Sequence, residues 1–155
     1  MSNTSPFKVK EITFSCSAHS TEDIEKVKQA ILNLIPNELR SKVEITDLEL
    51  LGHAGNIIHL LELLVKSNRN VKASLQYLSE IIADLDKEFL FEEIEDRIDE
   101  ENCVYMRFNK QEAFNERIVL DDKDNTIKVV IKFIIYKSEP DQIKNALVEY
   151  GLIRK

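Results

Sequence analysis

Glycine, proline and cysteine are all scarce in this chain of 155 residues, which contains three glycines, three prolines and two cysteines. Such a composition excludes fibrous and low-complexity chains, and 43% hydrophobic with 32% charged residues is typical of a folded soluble protein. Cys16 and Cys103 are far apart, match no metal-ligand spacing and lie in strand-like runs, so buried thiols are favoured over a disulfide. No run is long enough for a membrane span or a signal peptide. We expect one cytoplasmic domain, residues 1–155, without a membrane partner.

The negative charge is confined to one segment. The net charge is −7, but residues 84–101 (DLDKEFLFEEIEDRIDEE) hold ten acidic and two basic side chains, a local charge of −8. The other 137 residues therefore sum to +1, since −7 minus −8 is +1. Because fields at physiological salt act locally, the total charge does not exclude a polyanionic partner.

The hydrophobic periodicity predicts an α+β fold, an antiparallel sheet with helices packed on one face. Period-two alternation predicts six strands: VKEITFSC (9–16), KVEITDLELL (42–51), NIIHLLELLV (56–65), CVYMRF (103–108), ERIVLD (116–121) and TIKVVIKFIIY (126–136). Helical spacing predicts helices in residues 20–35, capped by Ser20 and Asp23, and in residues 71–85, where Leu85 shares the apolar face. A last helix is predicted from Ser138, with Pro140 in its first turn and Gly151 at its end. For the acidic segment the pattern leaves a helix and an irregular connection open.

Motifs for catalysis or for cofactors are missing from the sequence. It contains no GxGxxG, no GK[ST] ending, no GxSxG and no CxxC, and its three histidines have no zinc-ligand spacing. Adjacent carboxylates such as Glu92 and Glu93 are better explained as a solvated face than as a Mg²⁺ site. We therefore expect no enzyme, no metal and no cofactor.

Two of the three glycines lie in GHAGN, between two strand-like runs. One interpretation is a plain hairpin turn. The other is that Gly52 and Gly55 expose backbone N–H groups to a phosphate, while His53 and Asn56 add side-chain contacts. Arg69 and Lys72, at the start of the next helix, either extend a positive patch there or are ordinary surface charges.

A second polar segment, RFNKQEAF (107–114), follows the CVYM run. Four of its side chains supply cations and amides, which can bind phosphates, 2′-hydroxyls and base edges. The segment also contains the aromatic residues Phe108 and Phe114. The alternative is a solvated loop anchored by those aromatics. The candidate binding residues of this segment are Arg107, Asn109, Lys110, Gln111 and Phe114.

GHAGN and YMRFNKQEAF together resemble the paired motifs of an archaeal family described as predicted exosome subunits or RNA-binding proteins. The positions that carry the resemblance are Gly52, His53, Gly55 and Asn56, then Lys110, Gln111, Ala113 and Phe114. Ile57 stands where the family has proline, Phe114 where it has tyrosine, and Asn115 and Glu116 where a glycine is expected.

The resemblance implies a fold like that of double-stranded-RNA-binding domains or of the ribosomal protein that holds 5S RNA. It also implies binding of structured RNA in processing or decay by the exosome, with exosome or ribosome-associated proteins as partners. A protein-interaction adaptor that docks through residues 84–101 is the alternative function, and a metal-dependent nuclease is a weaker one. The oligomeric state, monomer or homodimer, is left open.

Overall fold

A computed structural model describes residues 7–136 and 141–155 and shows an α+β fold. The described strands are β1 (Phe7–His19), β2 (Thr46–Leu51), β3 (Ile57–Val65), β4 (Cys103–Asn109) and β5 (Thr126–Ile135). The helices in the same ranges are α1 (Ile24–Leu32), α2 (Asn37–Arg40), α3 (Asn68–Ile81), α4 (Asp84–Glu93), α5 (Lys110–Phe114) and α6 (Gln142–Tyr150).

The strands form one antiparallel sheet in the order β2-β3-β1-β5-β4. Strand β1 is central: Phe14 lies opposite Leu63 of β3 on one side and opposite Val129 of β5 on the other. Among the described strands, β2 pairs only with β3, and it is exposed along its whole length. The sheet therefore has two edges, β2 and β4.

One face of the sheet is buried under the helices, as the sequence predicts. In β5 the side chains of Ile127, Val129, Ile131 and Phe133 are buried, whereas Lys128 and Lys132 point to the other, open face. This alternation follows from the two-residue period of a strand. Helix α1 adds Val27, Ala30 and Ile31 to the same core.

The first helix begins one residue after its cap. Asp23 is the cap, since its carboxylate accepts a hydrogen bond from the Glu25 N–H at 3.0 Å. The helix is shorter than the predicted residues 20–35, and Pro36 caps the short helix α2.

The acidic segment is largely helical, which answers the question that its pattern left open. Helix α3 ends at Ile81, and Ala83, in an extended conformation, starts α4 at Asp84. The assignment of Leu85 to the preceding helix was therefore wrong. Leu85 belongs to α4 and is 77% exposed, because the break at residues 82–83 turns it away from the core.

The predicted strand at residues 116–121 is also wrong. This segment meets the sheet at a single bridge between Leu120 and Phe108, because β4 ends at Asn109 and the chain first turns through α5. At the C-terminus, Ser138 and Pro140 lie outside the described residues. Asp141 makes no side-chain cap of α6, whereas Gly151, with φ of 80°, ends this helix as predicted.

Both cysteines are buried free thiols, as the sequence predicts. Burial raises the pKa of Cys16 to about 11, so its thiol is protonated at neutral pH. None of the described helices is long and apolar enough to cross a membrane.

Candidate nucleic-acid interface

The two polar segments lie at the same end of the sheet. His19, the last residue of β1, pairs with Ile58, just after the GHAGN turn. Asn109, the last residue of β4, pairs with Thr126, the first residue of β5. Across the sheet, β3 and β4 are three strands apart, or about 14 Å at the usual strand spacing. The segments thus share one end of the sheet, separated by a distance that several nucleotides would span.

GHAGN is a tight turn whose backbone is largely hydrogen-bonded to itself. The N–H of Gly52 donates to Asn56 O at 2.7 Å, and the N–H of Gly55 donates to Gly52 O at 3.3 Å. Ala54 and Gly55 both have positive φ, 61° and 76°. Neither glycine N–H is left for a phosphate, so that part of the phosphate-binding interpretation loses its basis. The side chains of His53 and Asn56 remain exposed and available.

The second segment begins as a strand and turns into a helix. Arg107 is exposed on the open face of β4, whereas Phe108 is buried on the other face. Asn109 caps α5: its side-chain oxygen accepts from the Glu112 N–H at 2.8 Å, and its amide donates to Asp121 at 3.0 Å. Asn109 therefore shapes the segment, and its amide is already partnered.

Lys110 is buried, with 6% of its surface exposed. Its Nζ donates to Ser17 O at 2.9 Å and lies 2.9 Å from an oxygen of Glu22. Burial works against ionisation of Glu22, but the hydrogen bond and charge of Lys110 and the His19 N–H outweigh it, so the pKa of Glu22 is lowered. Lys110 thus joins α5 to the end of β1, and its ammonium is not free to hold a phosphate.

Gln111 and Phe114 lie on the outer side of α5. Gln111 is exposed, Phe114 is 36% exposed, and the Lys26 ammonium lies 5.8 Å from the centre of the Phe114 ring. The buried Asn33, which follows the last residue of α1, donates to Ala113 O at 2.8 Å and to Phe114 O at 3.3 Å. Asn33 therefore satisfies carbonyls at the C-terminal end of α5 and fixes this short helix against α1.

The open face carries a like-charged pair, Arg107 of the second polar segment and Lys128, which lies outside both segments. Lys128 of β5 lies directly opposite Arg107 of β4, and its ammonium lies 5.6 Å from the centre of the Tyr105 ring. Lys132 is on the same face, four residues further along β5. The alternation of β5 in the sequence predicts both lysines on the solvent-facing side of the strand. That Lys128 lies opposite Arg107 follows only from the register between β4 and β5.

Comparisons with known proteins assign the chain to a family. A family model described as RNA binding matches residues 11–133, most of the chain. The chain belongs to this RNA-binding family. The matched region contains both polar segments and all five strands, except for the first residues of β1 and the last residues of β5. It ends before α6.

Three relatives illustrate the family. An RNA-binding protein of Pyrococcus abyssi is 32% identical over 133 residues, 85% of this chain and 86% of that protein. The crystal structure of a protein from Archaeoglobus fulgidus superposes with a TM-score of 0.80 at 30% identity, covering 92% of this chain and 99% of the other. A crystal structure from Sulfolobus solfataricus, at 23% identity, shares the fold with a TM-score of 0.73 over 91% and 96% of the two chains. The archaeal RNA-binding family that the sequence resembles is thus supported.

Other predicted features do not join this end of the sheet. Strand β3 runs away from GHAGN, so Arg69 and Lys72, at the start of α3, lie beyond its far end and do not extend a patch around the turn. In residues 7–136 and 141–155, no three His, Cys, Asp or Glu side chains are grouped so that they could hold a metal ion.

Proposed function

We propose that this protein binds structured RNA without altering it chemically, through the open face of β4 and β5 and the end of the sheet beside it. Membership of the RNA-binding family supports RNA as the ligand. The observation that carries the choice of surface is the pair of Arg107 and Lys128. Like charges directly opposite each other in a sheet are unfavourable in the free protein, and an anion between them relieves the repulsion. RNA phosphates are such anions.

The proposed contacts differ along the surface. Arg107 and Lys128 would hold phosphates, and Gln111 would contact sugar or base. His53 and Asn56 would contact the RNA about 14 Å away, across three strand spacings. A mononucleotide is too short to reach both parts, so a longer, folded RNA is the ligand that this surface fits.

The proposal has two finer parts. A role in exosome-dependent RNA processing or decay, with exosome or ribosome-associated partners, is what the family resemblance implies. The absence of catalysis comes from the sequence, in which no catalytic motif is found, and it fits a surface whose exposed groups are mostly cations and amides. Incubating the protein with labelled RNA, with and without Mg²⁺, should therefore leave the RNA intact; Mg²⁺-dependent cleavage would replace this proposal with the nuclease alternative.

A salt titration with matched variants tests the surface. Each neutralised phosphate releases about one counterion, so the slope of log K against log salt should fall by about one for Arg107→Gln and again for Lys128→Gln. The control is Arg69→Gln with Lys72→Gln, an equal loss of charge on exposed residues at the far end of the sheet. Equal effects of the two pairs would exclude this surface, and no binding at low salt would exclude RNA binding.

A second candidate, docking of a basic protein partner, is favoured by an exposed acidic groove beside α4. Leu85 and Phe89 are 77% and 51% exposed there, next to Glu88 and Glu92. Charge reversal at Glu88 and Glu92 should weaken the binding of a basic protein partner and leave the affinity for RNA unchanged. Glu93 is unsuitable for this test, because it lies 2.9 Å from Arg97 and holds that side chain.

A further inference from the structure

A groove of about 380 Å³ lies between α1 and α5 and shares Gln111 with the proposed RNA surface. Lys26 and Val27 line it from α1, and Gln111 and Phe114 line it from α5. A second groove, of about 360 Å³, adjoins it and reaches Arg117. The two grooves share three amide side chains, those of Gln111, Asn115 and Asn125.

The charges of the first groove cancel. Its ionisable lining residues are Glu22, Asp23, Lys26 and Lys110, which sum to zero. Lys110 is held by Glu22 and Ser17, and Asp23 is occupied as the cap of α1. A phosphate needs a surplus of donors and positive charge, which this groove does not offer. An uncharged polar group fits it better.

The shared amides suit such a group. Gln111, Asn115 and Asn125 are all exposed, and an amide offers both a donor and an acceptor, as does the edge of each nucleobase. Phe114 adds an aromatic surface at the groove wall, with its backbone fixed by Asn33. Stacking of a base on an aromatic side chain is a main source of affinity for unpaired nucleotides.

We propose that this groove receives one unpaired nucleobase of the bound RNA, stacked on Phe114 with its edge on the amides of Gln111, Asn115 and Asn125. This inference rests on the proposed function and narrows the RNA ligand to one with an unpaired base, in a bulge or a loop, as opposed to a perfect duplex. Extruding a paired base requires its pairing and stacking to be broken, whereas a bulged base is already free. Asn109, which lines the adjoining second groove, is two positions from Arg107 in the chain, so the phosphates beside that base would lie toward Arg107 and its cross-strand neighbour Lys128.

The test uses two hairpin RNAs of the same length and charge, both closed by an abasic loop so that the loop offers no base. The stem of one is fully paired, and the stem of the other carries a single bulged 2-aminopurine. The wild-type protein should bind the bulged hairpin at least tenfold more tightly and quench its fluorescence. Phe114→Leu should lose the quenching and about five- to thirty-fold in affinity for the bulged RNA, without change for the duplex. Tyr136→Leu, which removes an aromatic that is 65% exposed at the other end of β5, is the matched control and should change neither.

A second variant protects the test against a folding defect. Gln111 is exposed, so Gln111→Ala should keep the melting temperature and still weaken binding of the bulged hairpin several-fold. An excess of free nucleoside should not displace the bulged RNA, because it lacks phosphates for Arg107 and Lys128. Displacement by the nucleoside would assign the groove to a small molecule and overturn the proposal.

The remaining outcomes separate the two proposals. Equal binding of both hairpins without quenching, or quenching that survives Phe114→Leu, would overturn the base-binding groove and leave RNA binding by Arg107 and Lys128 intact. Failure to bind either hairpin at low salt would overturn the proposed function and this inference with it.

Discussion

Replacing Lys110 by methionine should destabilise the protein rather than simply weaken RNA binding. Methionine keeps the apolar stem of this buried residue but removes the ammonium that contacts Ser17 O and Glu22, each at 2.9 Å. A hydrogen bond that involves a charged group contributes about 1.5–3 kcal/mol. The side chain of Glu22 is 28% exposed, so water replaces part of what it loses. We expect a loss of about 2–3 kcal/mol in the free energy of unfolding.

The loss can be measured by urea unfolding and by thermal melting. For a chain of this size each kcal/mol shifts the melting temperature by about 2–4 °C, so we expect a decrease of about 4–12 °C. Lys26→Met is the control, since Lys26 is an exposed lysine on the opposite wall of the same groove and should change stability by less than about 0.5 kcal/mol.

The pH dependence of this difference follows from Glu22. The folded state lowers the pKa of Glu22, so its contribution is complete above the unfolded value of about 4.3 and is lost as the pH falls through the folded value. The difference between wild type and Lys110→Met should therefore be largest at neutral pH and shrink below about pH 4. RNA affinity well below the melting temperature should change less than twofold. A stability difference under about 0.5 kcal/mol, or a large loss of RNA affinity in a fully folded variant, would refute the structural role of Lys110.

Three further predictions concern other parts of the molecule. Ala54→Gly should raise the free energy of unfolding by about 0.5–1 kcal/mol in urea, because Ala54 has a φ of 61°; a destabilised variant would contradict the turn geometry. Asn33→Ala should cost about 1–3 kcal/mol in the same assay, since both hydrogen bonds from its buried amide to α5 are lost, although Ala113 O keeps the N–H of Glu116 at 3.0 Å; an unchanged urea midpoint would exclude this anchor. The hydrogen bond to Asp99 raises the pKa of Tyr105 to about 12, so its stabilising effect, complete below about pH 10, should be lost as pH rises toward 12. The alkaline absorbance titration curves of wild type and Tyr105→Phe should differ by one tyrosine that ionises near pH 12. A difference near pH 10 instead would contradict the raised pKa of Tyr105.

The features that the sequence predicted correctly depend on local patterns. The alternation of β5 and the glycine at the end of α6 need only neighbouring residues, and both are confirmed. The failures have local causes as well. No proline or glycine marks the break before α4, so Leu85 was assigned to the wrong helix. The strand-like composition of residues 116–121 was a weak signal, because β propensity depends on a neighbouring strand.

The site was harder to predict because its contacts are remote in sequence. Lys110 is held by Ser17 and Glu22, which lie about 90 positions away in the chain. Their approach to Lys110 depends on the order of the strands. The pairing of Arg107 with Lys128 depends on the register of β4 and β5 in the same way. Periodicity gives the face on which a side chain lies, whereas neighbours across the sheet follow from topology. The residue types of the site were thus predictable, and the distinction between buried and available cations was not.

The central position of β1 has a consequence for synthesis of the chain. One neighbour of β1 is formed by Ile57–Val65, whereas the other, β5, begins only at Thr126. At about 5–20 residues per second, the 60 residues between the end of β3 and the start of β5 take about 3–12 s to make. During that time the newly made β1 has one unpaired edge, and the apolar face of the sheet is incomplete. The nascent chain is therefore most vulnerable to aggregation just before β5 emerges, and β5 is the strand whose arrival joins the two halves of the sheet.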